Sequence, residues 1–377
     1  MIYLKDFLKW VLFKLYSLRP IESNKIVCNN FLGKGYGDNP KYIVEELLRR
    51  NKKYQIVWYC DKKYNFSVPN KVRCVNSTKE FIKEMATAKI WISNVRLPIY
   101  MSKRKKQYYI QTWHGGMATK MVEKDVMHSL TKYYVRMAKK DGSRTDIMIS
   151  NCKLLTKIYY KSFWFNGDIC EYGTPRNDNI INFPNEYRKK VYKYYNLDKD
   201  INILLYAPTF RSNNTRKVYN LDISKIVNVL NKKTNKKWIG MVRLHPNISN
   251  PEKYFNFNKN IINACDYPDM NELLSAVSML ISDYSSSVYD FFLLNRPVLI
   301  YANDMESYMK ERNFYIKPSE GPFPIFNNNK DLINYISQKG NYCDIDAYKK
   351  FINENGIIET GKASNAICDI IEKQIYK

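Results

Sequence analysis

Apolar and polar positions alternate along this chain in two series of short buried runs and amphipathic segments. In the first, apolar runs at 25–28, 54–59, 89–93, 108–113, 146–150 and 169–173 read as strands of a parallel sheet, with helices at about 40–50 and 78–88. In the second, runs at 203–207, 238–242, 279–281 and 298–301 read as strands, with helices at 223–231 and from the cap Asp269 to Val277. Strands alternating with helices imply parallel sheets joined by crossovers, so the expected class is α/β with two Rossmann-like domains. The polar, Tyr/Lys-rich stretch at 180–200, which carries Pro184, is expected to connect them. The boundaries that follow are 1–20 for an N-terminal helix, 21–185 for the first domain and 186–377 for the second. The last helix is expected to pack back on the first domain.

Residues 1–18 place Lys5, Asp6, Lys9 and Ser17 on one side of a helical wheel, with Lys14 at its border and apolar residues over the remainder. The segment is too short and too charged to span a bilayer. It suits a helix lying in a membrane interface or one packed on the protein's own body. No small-residue cleavage site follows it, so it does not read as a signal peptide.

The unusual polar residues fall just after the carboxyl ends of the expected strands, where open α/β sheets bind ligands. In the first half these are Asp38, His114 and Arg176. In the second they are Arg211, His245 and Ser285, Ser286 and Ser287, the last three opening a helix that Pro297 ends. Serines at a helix start either cap it or, with its free N–H groups, bind phosphate. The chain has only three histidines. His114, between Trp113 and the pair Gly115-Gly116, is the candidate general base, because imidazole titrates nearest neutrality; the alternative is a histidine satisfied in a turn. Arg211 and Arg243 are candidates for bidentate phosphate contacts, the alternative being ion-paired arginines. His245 is placed to donate to a phosphate or stabilise a leaving group. The glycines at 33, 35 and 37 do not complete a GxGxxG fingerprint.

Composition narrows the partners. A formal charge of +25 over 377 residues calls for anionic ones: nucleic acid, an acidic membrane face or phosphorylated substrates. Motifs of nucleic-acid binding modules are not found. The eight cysteines form no CxxC pair, which argues against a zinc site and a disulfide framework and for a reducing compartment. No Asp-x-Asp or His/Cys cluster suggests a protein-ligated metal, and no tightly bound cofactor is expected.

Six segments together carry a resemblance: Asp38-Asn39-Pro40-Lys41-Tyr42, Gln111-Thr112-Trp113-His114-Gly115, Gly173-Thr174-Pro175-Arg176-Asn177-Asp178, Ala207-Pro208-Thr209-Phe210-Arg211, Arg243-Leu244-His245-Pro246 and Ser282-Asp283-Tyr284-Ser285-Ser286. The chain resembles the CDP-glycerol glycerophosphotransferase family, which makes wall teichoic acids and related capsular polymers, over about residues 25–370. Arg312-Asn313-Phe314-Tyr315 and Gly321-Pro322 fit it too. The resemblance implies a GT-B fold with CDP-glycerol as donor and release of CMP. It makes His114 the base and places His245 and the loop Asp283 to Ser286 at the donor's pyrophosphate, where Thr209, Arg211, Arg243 and Ser287 are further candidates for its phosphates. Asp38, Asn39, Gly115, Gly116, Arg176, Asn177 and Asp178 go to the acceptor side. Where the family's polymerases commonly continue Thr-Pro after His-Gly, this chain has Gly116-Met117. Its size is similar to the primases, which act on an undecaprenyl-diphosphate-linked disaccharide at the cytoplasmic face of the bacterial membrane. The expectation is therefore a peripheral membrane transferase acting on that disaccharide or a growing polymer. A CDP-ribitol-using or polymerising enzyme is the alternative within the class, and a basic nucleic-acid-binding protein the alternative outside it.

Overall fold

The computed structural model describes residues 2–117, 119–211, 217–248, 250–311 and 313–377, so Arg312 lies outside the described residues. The chain divides into two compact units. One comprises Met1–Gly116, Val122–Asn179 and Gly356–Lys377, the other Met117–Met121 and Ile180–Asn355.

Among the described residues of the first unit, seven strands form a parallel sheet in the order β3-β2-β1-β4-β5-β6-β7. They are β1 (Glu22–Asn29), β2 (Gln55–Tyr59), β3 (Arg73–Val75), β4 (Ala88–Ser93), β5 (Tyr108–Gln111), β6 (Ile147–Ile149) and β7 (Asp168–Cys170). Side chains alternate across the pleat, so successive strand residues enter different cores. Ile26, Cys28, Ile56, Trp58, Ile90 and Ile92 bury one face beneath Ile43 and Leu47 of the helix Asp38–Arg49. Ile367 and Ile371 of the helix Ala363–Ile375 join the same core, so this last helix belongs to the first unit. Val27, Val57, Tyr59, Trp91 and Tyr109 bury the other face with Phe81 and Met85. The helix holding that pair, Thr78–Thr87, starts at a capping box in which Ser77 and Glu80 satisfy each other's backbone N–H.

The N-terminal helix Ile2–Tyr16 packs on this second face through Phe13, which meets Trp91 edge-on, with Leu12 and Tyr16 beside it. Its polar side also turns towards protein: Asp6 accepts from the Tyr133 hydroxyl at 2.7 Å and the Lys9 ammonium lies over the Tyr100 ring. Leu4, Phe7, Leu8, Leu15 and Leu18 are left exposed, Leu18 at 84%. Of the two roles expected of this helix, packing on the protein's own body is the one these contacts display. No helix among the described residues is long and apolar enough to cross a membrane.

In the second unit, six strands among the described residues run β10-β9-β8-β11-β12-β13. They are β8 (Asn202–Tyr206), β9 (Trp238–Val242), β10 (Ile261–Asn263), β11 (Met279–Ser282), β12 (Val298–Tyr301) and β13 (Ile325–Phe326), all paired in parallel. Leu204, Tyr206, Met279, Ile281 and Leu299 form one core with Ile226, Leu230, Leu332 and Ile336 from two helices.

Two expectations need correction. The stretch at 180–200, read from its polarity as a connection, begins where the second unit resumes at Ile180 and contains the whole of the helix Pro184–Tyr194. Pro184 stands at the first helical position, where its missing N–H does no harm, and Tyr187 and Val191 supply an i, i+4 pair of buried side chains. The cysteines are not all free either, for Cys60 and Cys74 form a disulfide. β3 lies parallel to β2 with Cys74 opposite Trp58, which brings Cys60, just past the end of β2, to 6.1 Å from it between Cα atoms. Among the described residues Cys28, Cys152, Cys170, Cys265, Cys343 and Cys368 remain thiols.

Candidate functional site

In each unit the strand order reverses beside the first strand, between β1 and β4 and between β8 and β11. Loops leaving adjacent strands there diverge and open a crevice.

In the first unit His114 follows β5. Its Nδ1 lies 2.8 Å from the carbonyl oxygen of Asn94, the residue after β4. A carbonyl only accepts, so Nδ1 carries the proton and Nε2 of the neutral ring keeps its lone pair. Burial pushes the imidazole's pKa below its ordinary value, against the opposing pull of the Asn94 carbonyl and Asp38, and the ring is neutral at pH 7. The ring is stacked on Trp113, centroids 4.4 Å apart, and flanked by Phe31 at 5.2 Å. Phe31 sits in the loop after β1 with φ 45°, and its N–H donates to the Asn94 side chain at 2.8 Å.

The residues expected on the acceptor side gather around this histidine, and their polar groups are largely engaged with protein. Arg176 donates from Nη1 to the carbonyl of His114 at 2.7 Å and to Asp38 at 2.9 Å. Asp38 also accepts from the Asn94 amide, and Asn39 donates to the Trp113 carbonyl at 3.1 Å. Asn177 donates to Glu359, while the Asp178 carboxylate takes the N–H groups of Ala363 and Ser364 at the start of the last helix. The expectation that Asp178 faces a cleft is therefore corrected: it is a buried cap. Gly115 has no steric need to be glycine, since a Cβ there would meet nothing closer than the Trp113 indole at 3.7 Å, and Gly116 is buried.

Glu359 was not visible in the sequence. It accepts from the Thr174 N–H and hydroxyl, Asn151 and Asn177, tying the loop after β7 to the last segment of the chain. Burial pushes its carboxyl up to about 7 although these donors pull the other way. Gly173 fits this arrangement as no other residue would. Its φ is +105°, and a Cβ would come within 2.9 Å of the Glu359 carboxylate.

In the second unit Arg211 and Asp283 face each other rather than solvent. The Arg211 guanidinium donates to Asp283 at 2.8 Å, to Asp304 at 2.6 and 3.1 Å and to the Thr209 carbonyl at 2.9 Å, with the Tyr284 and Tyr308 rings over it. Burial works against its charge, but the two carboxylates outweigh it and raise its pKa. Asp283 also accepts from the N–H and hydroxyl of Thr209. Arg211 thus takes the ion-paired alternative, and the donors and acceptors of Arg211, Thr209 and Asp283 close on one another and lock the loop after β8 to the loop after β11. Asp304, three residues past β12, completes the lock; the strand-end rule that flagged the others would have found it.

What this unit exposes is different. His245, after β9, is exposed, and its Nδ1 accepts from the Asn247 N–H at 3.2 Å, which places the neutral ring's proton on Nε2. Arg243 is half-exposed and anchored from Nη1 by the carbonyls of Ala264 and Tyr267 at 2.9 and 2.6 Å. Among the described residues it makes no ion pair with a carboxylate. The Ser285 and Ser287 hydroxyls lie 2.8 Å apart, and Ser286 caps nothing with its side chain. The helix these serines open, Ser287–Phe291, is shorter than the sequence pattern suggests and passes into a 3-10 turn that ends at left-handed Asn295. A small cavity lies beneath the loop, lined by Asp283, Tyr284, Ser285, Tyr289, Thr119 and Phe314. No three His, Cys, Asp or Glu side chains converge as a metal site among the described residues.

The model of the family "CDP-Glycerol:Poly(glycerophosphate) glycerophosphotransferase" matches residues 11–373. The chain is 32% identical over 383 residues to the teichoic acid poly(glycerol phosphate) polymerase of Staphylococcus epidermidis, covering 96% of this chain and 53% of that protein. It thus spans about half the length of that relative. It is 30% identical over 377 residues to the teichoic acid glycerol-phosphate transferase of Staphylococcus aureus, covering 96% of each. Among solved structures, a variant of the wall teichoic acid polymerase TagF soaked with CDPG is similar at a TM-score of 0.84 and 30% identity, covering 98% of this chain and 93% of that one. That likeness makes the fold GT-B. With the match running through both sheets and the His114 and His245 loops, the chain belongs to the CDP-glycerol:poly(glycerophosphate) glycerophosphotransferase family.

Proposed function

We propose that this protein transfers glycerol phosphate from CDP-glycerol to a hydroxyl of a membrane lipid-linked glycan and releases CMP. The observation that carries the reading is the His114 tautomer. With Nδ1–H given to the Asn94 carbonyl, Nε2 is a neutral base able to take the acceptor hydroxyl's proton. The hydroxyl oxygen then bonds to the phosphorus that carries glycerol, the bond from that phosphorus to the bridging oxygen breaks, and CMP leaves with the electron pair. His245 Nε2–H, Arg243 and the hydroxyls of Ser285 and Ser286 are the groups suited to the donor's phosphates and to the charge on departing CMP. The reading asks no protein-ligated metal and no tightly bound cofactor of either cluster.

The acceptor is read as an undecaprenyl-diphosphate-linked disaccharide or growing polymer, presented at the cytoplasmic face of the membrane. The exposed stripe of Leu4, Phe7, Leu8, Leu15 and Leu18, on a protein of charge +25, supports peripheral binding to an anionic bilayer. CMP release with CDP-glycerol and CDP-ribitol, each supplied with a synthetic prenyl-diphosphate disaccharide, tests the donor. Mass spectrometry of the product separates one addition from many. No CMP with either donor would remove the reading. Sedimentation with anionic vesicles tests the surface: Leu8→Asp with Leu15→Asp should release the protein, and undiminished binding would remove that part.

A further inference from the structure

We infer that Trp113 is a positioning residue for the base, its indole holding the His114 imidazole and favouring it once it has taken a proton. This rests on the reading of His114 as base. Trp113 has φ 51°, a left-handed conformation that bulky residues hold only where surrounding structure imposes it. Here the imposition is visible on both sides of the residue. Its N–H donates to the Gln111 side chain at 3.0 Å, and its carbonyl accepts from Asn39 at 3.1 Å and from the Thr112 hydroxyl at 3.0 Å. Gln111 is fixed in turn by its amide, which donates to the Tyr109 hydroxyl at 2.7 Å and the Val95 carbonyl at 3.0 Å.

The indole is held as firmly as its backbone. Phe163 meets it edge-on at 4.8 Å and the buried Arg96 guanidinium lies 5.6 Å from its centroid. Arg96 is itself anchored by Glu123 at 3.1 Å and Asp141 at 3.3 Å. The outcome is an indole stacked on the imidazole at 4.4 Å and 29°. A neutral imidazole gains only stacking from this neighbour, whereas an imidazolium gains attraction to the ring's negative face. The contact thus strengthens as the proton moves from hydroxyl to Nε2, which is when a catalyst needs it. The charged groups acting on His114 are Asp38 on the helix Asp38–Arg49, Arg176 on the helix Pro175–Asn182 and Glu123. The two carboxylates favour the cation and the arginine opposes it, and among the described residues the rings stacked or tilted against the imidazole are those of Trp113 and Phe31.

The test uses the full chain labelled with ¹³C-histidine, whose three histidines give three ring signals, assigned with His→Gln variants. Titration of wild type, Trp113→Phe and Trp113→Leu should show the His114 midpoint falling by about half a pH unit in the Leu variant and by less in Phe. The Leu variant should also lose about tenfold in kcat with CDP-glycerol, with KM for the donor nearly unchanged. Where the Leu variant does not fold, as read by circular dichroism, the Phe variant carries the test through its smaller downward shift. Midpoints equal to wild type in every folded variant overturn the inference. A downward shift in the variants together with wild-type protein that releases no CMP overturns the transferase reading instead and leaves the hold of Trp113 on the imidazole standing.

Discussion

The two strand-end clusters use charge in opposite ways. In the first unit, Asp38, Arg176, Asn39 and Asn94 are turned inward around one half-buried imidazole, and each fixes a backbone or ring position near it. In the second, Arg211 is held between two carboxylates, while His245 is exposed and Arg243 partly so. One arrangement orients an imidazole; the other braces a pair of loops and leaves His245 at the surface. Buried charge therefore braces the frame in both units.

Four substitutions sharpen or break this contrast. His114→Ala should lower kcat by roughly 10²–10⁴ while leaving CDP-glycerol affinity, measured by calorimetry, nearly intact. Near-normal turnover would reduce the first cluster to a structural one. Arg211→Met should cost about 3–5 kcal/mol in urea unfolding, because it strands the buried Asp283 carboxylate and the half-buried Asp304. Unchanged stability with a raised KM would instead return Arg211 to the ligand. His245→Ala should weaken donor binding by about ten- to a hundredfold, the worth of a hydrogen bond to a charged group. An unaltered affinity would take His245 out of the donor site.

Glu359→Gln reads the smallest effect, through pH. The folded protein raises this carboxyl from 4.5 to about 7, so it binds a proton more tightly folded than unfolded. Its contribution is fully present below about 4.5 and is lost as pH rises through about 7. The melting temperature of wild type should therefore fall relative to Glu359→Gln across that window. A difference that does not vary with pH would mean the carboxyl titrates normally.

The sheets were legible because buried parallel strands read as continuous apolar runs, and the strand-end rule then picked out His114, His245 and the serines. What local pattern does not contain is the choice of partner. Arg211 and Arg243 look alike in sequence, and only the return of the chain to Asp304 makes the first a brace. Asp178 and Glu359 have the same explanation, since both are defined by a pairing between residues about 180 positions apart. The helix Pro184–Tyr194 was missed for a simpler reason. Its apolar stripe is narrow and made mostly of tyrosines, which a polar tally counts as connection.

The return of Gly356–Lys377 to the first unit has a consequence for synthesis. Residues up to Asn179 leave the ribosome with one sheet face still lacking Ile367 and Ile371. At about 5–20 residues per second, the missing helix follows roughly 10–40 seconds later, after all of Ile180–Asn355. For that interval the nascent chain presents an uncovered apolar surface, and chaperone occupancy during translation should be greatest then.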